Sequence, residues 1–317
     1  TLERLFTELD ASLLTKLIAI VAGAGFGKST LAAEYLKSRN HPFVWYQVEE
    51  TDRDPTVFLC YLLEALRRLA FDTTDTRESK GNAPRDLTEA THELLAILSE
   101  IKGLGKRDCF LVLDDFHQVD GVPEINEILE FILARFPPNF HLVLLSSQEL
   151  NLDLARMRAR RELMELGEEQ LSFRPDETAR LFSKIFSLPL KEEEAVALTA
   201  LTEGWVSGLV FLCHALRDRG IAGLASQLRE TKLPSAQIYD YLDRIVYQDL
   251  EPELKDFLLK TSLLSRLQPD LCDALLEEEV SRRHLPRLAR NHLFTVSLDE
   301  KEACYRYHNL FRAFLRE

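Results

Sequence analysis

The sequence predicts an α/β domain built on a parallel sheet wrapped by helices, followed by an all-helical domain and a smaller domain that pairs helices with a two-strand hairpin. Three observations predict it. In the first half, short apolar runs alternate with helical patterns, the signature of strand–helix–strand units. After Phe173 strand patterns nearly vanish. Towards the C-terminus a mixed pattern returns. The length of 317 residues suits two domains, or three small ones, at roughly 150 residues each.

The strand candidates come in order. Leu17 to Val21 (LIAIV) is followed by a Gly-rich turn and the helix STLAAEYLKSR, and Phe43 to Val48 (FVWYQV) by a helix starting after Asp54 and Pro55. Phe110 to Leu113 (FLVL) and His141 to Leu145 (HLVLL) are the third and fourth. A weaker fifth, Glu169 to Phe173 (EQLSF), would close the sheet. Continuous rather than alternating apolar character reads as strands buried on both faces. Phe71 to Asp86 is polar and carries Gly, Pro and Asp, which reads as a loop insertion between the second and third strands. Helical patterns then cover Asp176 to Phe186, Glu192 to Thr202, Val206 to Arg219, Gln237 to Gln248, Glu253 to Leu263 and Val280 to Arg290. LFTVSL and ACYRYH flank a DEKE turn, and a hairpin after helices suits a winged helix. The expected domains are 1–173, 174–235 and 236–317.

Composition limits the function classes. Hydrophobic residues make up 46% and charged residues 29%, with 12 Gly and 12 Pro, which excludes disordered and collagen-like chains. The 39 basic against 52 acidic side chains give a net charge of −13, so DNA is not the default partner without a strong local basic patch. Five scattered cysteines, with no C-x-x-C pair, argue against zinc and against a disulfide framework. No apolar run reaches the ~18 residues of a membrane span, and the N-terminus lacks a signal-peptide block, so a cytoplasmic location is expected. The start at Thr1 and the end inside an amphipathic pattern, with Phe311, Phe314 and Leu315 on one side, suggest a piece of a longer parent.

Ala22 to Ser29 reads AGAGFGKS, which fits the relaxed phosphate-binding P-loop pattern. It follows a strand and opens a helix, where free backbone N–H groups and the helix dipole surround phosphate oxygens. Gly23, Gly25 and Gly27 permit the wrap around the phosphates, with Ala24 and Phe26 between them. Lys28 is expected to reach the terminal phosphates, Ser29 to ligate Mg²⁺, and Thr30 to follow in the first helical turn. The third strand ends FLVLDDFH, placing two carboxylates at a strand's carboxyl end, where ligands of open parallel sheets bind. Asp114 would hold the Mg²⁺ water shell, and Asp115 would act as general base towards the attacking water. FVWYQV, lying in sequence between the two motifs, is consistent with the P-loop ATPase branch that carries an extra strand between its motif strands.

The fourth strand ends in LLSSQEL. Gln148 stands where such AAA+-like ATPases often place a sensor of the γ-phosphate, and it reads either as that sensor or as an ordinary loop residue. Gln donates a hydrogen bond but no charge, so slow turnover is expected.

With these residues the chain resembles the STAND signal-transduction ATPases, in the branch of MalT and its LuxR-type relatives. The resemblance covers nearly the whole chain. AGAGFGKSTLAAEYL, FVWYQVEETDRDPTVFLCYLLEALR and FLVLDDFHQVD are followed in family order by LARMRARRELMELGEEQLSF, LTEGWVSGLVFL, LKDFLLKTSLLSRLQPDLCDAL, LARNHLFTVSL and YRYHNLFRAFL. It implies a nucleotide-binding, a helical and a winged-helix domain that close over ADP. GWVSGL, from Gly204 through Trp205 and Val206, would be the adenine-side element, with Val206 where relatives often carry Pro. His308 of YRYH would contact the β-phosphate in the resting form. Taken alone, Trp205 and Trp45 read as core residues and His308 as structural. Gln148 replaces the family's usual Arg.

The leading expectation is an ATP/ADP-controlled signal-transduction switch: monomeric and autoinhibited with ADP, opening and self-assembling with ATP, and reset by slow hydrolysis. It would serve transcription regulation within a larger regulator whose sensor segment, outside this chain, meets an inducer. This fragment itself would bind neither nucleic acid nor membrane. The rival expectations are a multi-turnover ATPase or phosphotransferase acting on a separate substrate, and a DNA-binding winged helix.

Overall fold

The computed structural model describes residues 3–71, 87–103, 107–219, 236–248, 250–299 and 304–317. The chain forms two compact units. The first comprises Thr1–Ala22 with Lys28–Gln170, and the second Gly23–Gly27 with Leu171–Glu317. The second therefore contains both segments expected as helical and winged-helix domains, together with the five-residue loop that interrupts the first.

The first unit opens with α1 (Glu3–Ala11) and then builds a five-stranded sheet from β1 (Leu17–Val21), β2 (Phe43–Gln47), β3 (Cys109–Asp114), β4 (Phe140–Ser146) and β5 (Leu163–Leu166). The strand order is β2-β3-β4-β1-β5 and every pairing is parallel. Helices α2 (Lys28–Ser38), α3 (Pro55–Phe71), α4 (Leu87–Gly103) and α5 (Pro123–Leu133), with the short α6 (Ala155–Arg160) and α7 (Glu168–Leu171), complete it. Leu62, Leu63, Leu66, Ile101, Leu111, Leu113, Leu129 and Leu142 are solvent-excluded in one core, which drives helices α3 to α5 onto the sheet.

Four strands fall where the apolar runs lie, and three expectations are corrected. EQLSF is not a strand: β5 is Leu163–Leu166, and Glu168–Leu171 is a helical turn whose first turn carries two acids, as a helix N-terminus favours. FVWYQV is not buried on both faces. As the edge strand, β2 leaves Phe43, Val44 and Trp45 half-buried, so Trp45 is not a core residue. The strand between the two motif strands in space is β4, which pairs with both β1 and β3. Sequence order placed β2 there, but parallel strands need crossovers and their spatial order is free of chain order. The loop expected at 71–86 lies, beyond Phe71, outside the described residues.

The second unit holds α8 (Pro175–Phe186), α9 (Glu192–Thr202), α10 (Val206–Arg219), α11 (Ala236–Leu242), α12 (Pro252–Thr261), α13 (Pro269–Leu276) and α14 (Ser281–Arg290), then β6 (Thr295–Ser297), β7 (Tyr305–Tyr307) and α15 (Asn309–Leu315). The helix expected over 237–248 changes to π winding at Asp243–Tyr247. β6 and β7 pair antiparallel as the expected hairpin, and Leu267 bridges to Tyr305 beside them. Phe257, Leu258, Leu285, Leu288, Tyr305 and Phe311 are buried in this unit. Thr261 Oγ1 donates to the Phe257 carbonyl at 2.6 Å and shares a buried 2.7 Å hydrogen bond with Tyr307 Oη, which satisfies the tyrosine hydroxyl.

No helix among the described residues is long and apolar enough to cross a membrane. The five cysteines are free thiols.

Candidate functional site

Parallel pairing aligns strand ends. Val21 of β1 is in register with Ser146 of β4, and Gln47 of β2 with Asp114 of β3, so the carboxyl ends share one edge of the sheet. In the first unit this edge gathers Lys28, Ser29, Asp114 and Asp115. Lys28 is the first residue of α2, only 8% exposed, and its Nζ donates to the Ala22 carbonyl at 2.7 Å. Burial lowers the Lys28 pKa, and the opposing charges of Asp115, Asp114 and Glu168 push it back up. The three nearby carboxylates favour the charged form of the ammonium against the desolvation that burial imposes.

Asp114, 5% exposed, is raised above the usual carboxylate range by burial, while a hydrogen bond from the Ser29 side chain opposes that shift. A hydroxyl on a helix N-terminus beside a buried carboxylate is the oxygen donor set that Mg²⁺ takes. The residues therefore fit the ion. Asp115 sits in the left-handed region at φ 56°, where its amide bonds Asp114 Oδ1 at 3.0 Å. Gln47 Nε2 donates to Asp115 Oδ2 at 2.6 Å. His117 Nδ1 lies 3.9 Å from Asp115 Oδ1; burial lowers its pKa, and the charges of Asp115 and Asp114 oppose that shift. Gln148 is exposed in the loop after β4, its backbone fixed by Ser146 Oγ, which donates to Gln148 O and accepts from Gln148 N. Thr30 is exposed in the first turn of α2.

In the second unit the loop Gly23–Gly27 is held by the GWVSGL segment. Trp205, fully buried, donates Nε1–H to the Ala24 carbonyl at 3.0 Å, and Ser207 donates both its amide and its hydroxyl to the Gly25 carbonyl. Gly25 has φ +78°, and a Cβ there would stand 2.6 Å from Ser207 Oγ and 2.8 Å from Trp205 Nε1. Only glycine fits that position. Phe26 is buried, and Val206 Cγ1 stands against Gly27. Gly204, at φ +75°, has no room for a Cβ against the Phe173 backbone.

His308 caps α15 with Nδ1, which accepts from the Leu310 amide at 3.3 Å, and its Nε2 faces the Thr202 carbonyl at 2.9 Å. With Nδ1 accepting, the proton is on Nε2. Trp205 and Phe294 meet the His308 ring edge-on. Alongside, Arg306 donates two hydrogen bonds to Glu203, and Glu203 also accepts from the Asn309 amide.

The sequence did not mark Gln47, Glu168, Ser207 or the Glu203–Arg306 pair. Gln47 and Glu168 join the site through strand pairing and chain reversal, which leave no local signature. Ser207 lies within GWVSGL, where its spacing from Trp205 was the available signal.

The family model described as the MalT winged helix domain matches residues 243–317. The HTH-type transcriptional regulators MalT of two Klebsiella pneumoniae strains are each 27% identical over 317 residues, covering 99% of this chain and 34% of the regulator. The chain thus spans about a third of the length of the curated relatives it matches. Among solved structures, a Walker-type ATPase of Pyrococcus abyssi aligns over 100% of this chain and 96% of its own, at 16% identity and a TM-score of 0.67. That likeness shows the fold.

Proposed function

We propose that this chain, a MalT-type P-loop NTPase with a winged-helix module, is the nucleotide-binding core of a larger cytoplasmic transcriptional regulator and works as its switch. ADP holds the resting, monomeric state, ATP favours an open state that self-assembles, and slow hydrolysis resets it. The observation that carries this reading is the buried Lys28, facing Asp114, Asp115 and Glu168 at the start of α2. In such a cluster the ammonium can reach phosphate oxygens while the carboxylates accept a divalent cation, which suits a Mg²⁺–nucleotide.

Lys28 would bind the terminal phosphates, and the amides of Gly23–Gly27 the phosphate chain. Ser29 and Asp114 would hold Mg²⁺, which supplies charge neutralisation at the phosphates when bound. Asp115 would take the proton of the attacking water, with Gln47 fixing the orientation of its carboxylate. Trp205 and Val206 would stand on the adenine side. A phosphate contact from His308 Nε2 replaces or shares its bond to Thr202, so nucleotide binding there is coupled to the link between α9 and the hairpin. A switch needs that kind of differential affinity, since a nucleotide bound equally by two states shifts neither.

The likeness to transcriptional regulators supports the regulatory setting, with an inducer met by a sensor outside this chain. The DNA-binding reading is disfavoured by the helix Ser281–Arg290, where Arg282, Arg283 and Arg287 pair with Asp270, Glu253 and Glu251. Titration calorimetry tests the proposal. ADP and ATP are expected to bind one per chain, Lys28→Ala to weaken both by more than ~100-fold, and His308→Ala to weaken ADP about tenfold more than ATP. Equal loss for both nucleotides removes the switch. Turnover at or above ~1 s⁻¹ favours the multi-turnover enzyme instead.

A further inference from the structure

His117 lies beside the candidate general base and takes no part in the contacts assigned to nucleotide. Asp115, in the left-handed region at φ 56°, turns the chain out of β3 and into the 3₁₀ segment Phe116–Gln118. That segment is firmly held. The Gln118 amide donates to the Asp115 carbonyl at 3.0 Å, and the amides of Val119 and Asp120 donate to the Phe116 carbonyl at 3.0 and 3.1 Å. Phe116 and Val119, flanking His117 in sequence, are fully buried, and Arg53 Nη1 donates to the Gln118 carbonyl at 3.1 Å. The His117 side chain, 16% exposed, thus stands on a fixed backbone.

Gln118 Nε2 donates to His117 Nε2 at 3.4 Å. An amide nitrogen cannot accept, so Nε2 is the acceptor of the ring and the proton is on Nδ1. Among the described residues that Nδ1–H is buried with no hydrogen-bond partner, and Asp115 Oδ1 lies 3.9 Å from it. A buried donor left unpaired is costly, and the neighbouring carboxylate can relieve the cost. The Asp115 side chain is 45% exposed and has room to turn, while its Oδ2 is held by Gln47 Nε2 at 2.6 Å. A pivot about that bond of about 1 Å brings Oδ1 into hydrogen-bond range of Nδ1. Hydrogen bonds between catalytic groups are often long without substrate and tighten in the substrate complex.

We propose, on the nucleotide-binding reading of this site, that His117 is a second positioning residue for the general base: its Nδ1–H donates to Asp115 Oδ1 during ATP hydrolysis, so that His117 and Gln47 hold one carboxylate oxygen each. In the step they serve, a proton of the attacking water passes to Asp115 as the water oxygen joins the γ-phosphorus and the bond to the departing ADP oxygen breaks. With both oxygens tied, the remaining lone pairs of the carboxylate keep one direction towards that water. His117 touches neither the water nor the phosphates in this assignment and acts through Asp115 alone. It differs from Gln47 in origin: Gln47 comes from the edge strand, whereas His117 is brought back to Asp115 by the left-handed turn and the 3₁₀ segment that follows.

The test is single-turnover ATP hydrolysis by the full chain beside calorimetric titration with ADP. His117→Ala is expected to slow hydrolysis about fivefold while ADP affinity stays within about twofold of wild type. His117→Asn, whose side-chain amide offers an N–H at the branch position of Nδ1, is expected to recover at least about half of the wild-type rate. In an Asp115→Asn background, adding His117→Ala is expected to change the residual rate by less than about twofold, because the residue acts through the carboxylate. A wild-type rate in His117→Ala, a joint loss of rate and ADP affinity, no recovery in His117→Asn, or a further fivefold loss in the Asp115→Asn background each overturns the proposal and leaves the nucleotide reading standing. A wild-type chain that takes up no ADP overturns the nucleotide reading itself, and the proposal with it.

Discussion

Gln47 Nε2 donates to Asp115 Oδ2 at 2.6 Å, joining the end of the edge strand to the residue that follows the neighbouring strand. A carboxylate half-exposed to water and held in a left-handed backbone conformation has few other constraints on its direction. General-base catalysis contributes typically 10²–10⁴-fold and depends on reach. Gln47→Ala is therefore expected to lower ATP turnover about tenfold while leaving ADP affinity within twofold. Single-turnover hydrolysis beside calorimetry separates the two; a joint loss would point to folding rather than orientation.

Gly25→Ala should damage the loop through sterics. A left-handed alanine costs about 1–2 kcal/mol, and the new Cβ must also displace Ser207 Oγ and Trp205 Nε1. Denaturant unfolding is expected to lose at least that amount, and nucleotide affinity to fall with it. A variant as stable as wild type would mean that the loop adopts another path.

Trp205→Phe keeps an aromatic ring and removes the Nε1–H bond to Ala24. The expected loss is about 1–3 kcal/mol, the cost of leaving a carbonyl unpaired. Trp205→Ala, which also empties a fully buried site, should lose about 3–5 kcal/mol. Equilibrium unfolding of the two variants ranks the hydrogen bond against the packing.

The Glu203–Arg306 pair predicts acid sensitivity. Burial raises the Glu203 pKa, but the Arg306 hydrogen bond and charge and the Asn309 amide together bring it below the ordinary 4.5. A carboxylate depressed in the fold stabilises above its unfolded value and loses that contribution as pH falls through the folded one. Stability should thus decline from about pH 4.5 downwards. Glu203→Gln should flatten that decline, and Glu203→Ala should cost about 1.5–3 kcal/mol at pH 7. Urea unfolding from pH 3 to pH 7 reads both.

The sequence by itself determined the strand runs LIAIV, FLVL and HLVLL, the helix opening at Lys28 and the acid pair ending β3, because each is set by local periodicity or by a short motif whose chemistry fixes its spacing. It also marked GWVSGL and YRYH as places of interest. Tertiary structure alone decided that β4, not β2, lies between the motif strands, that Gln47 is bonded to Asp115, and that Trp205 and Ser207 anchor the loop carbonyls of Ala24 and Gly25. The reason is common to all three. Strand order and long-range hydrogen bonds follow from which buried faces and polar groups must be satisfied together in space, and that condition joins residues whose local sequences contain no record of one another.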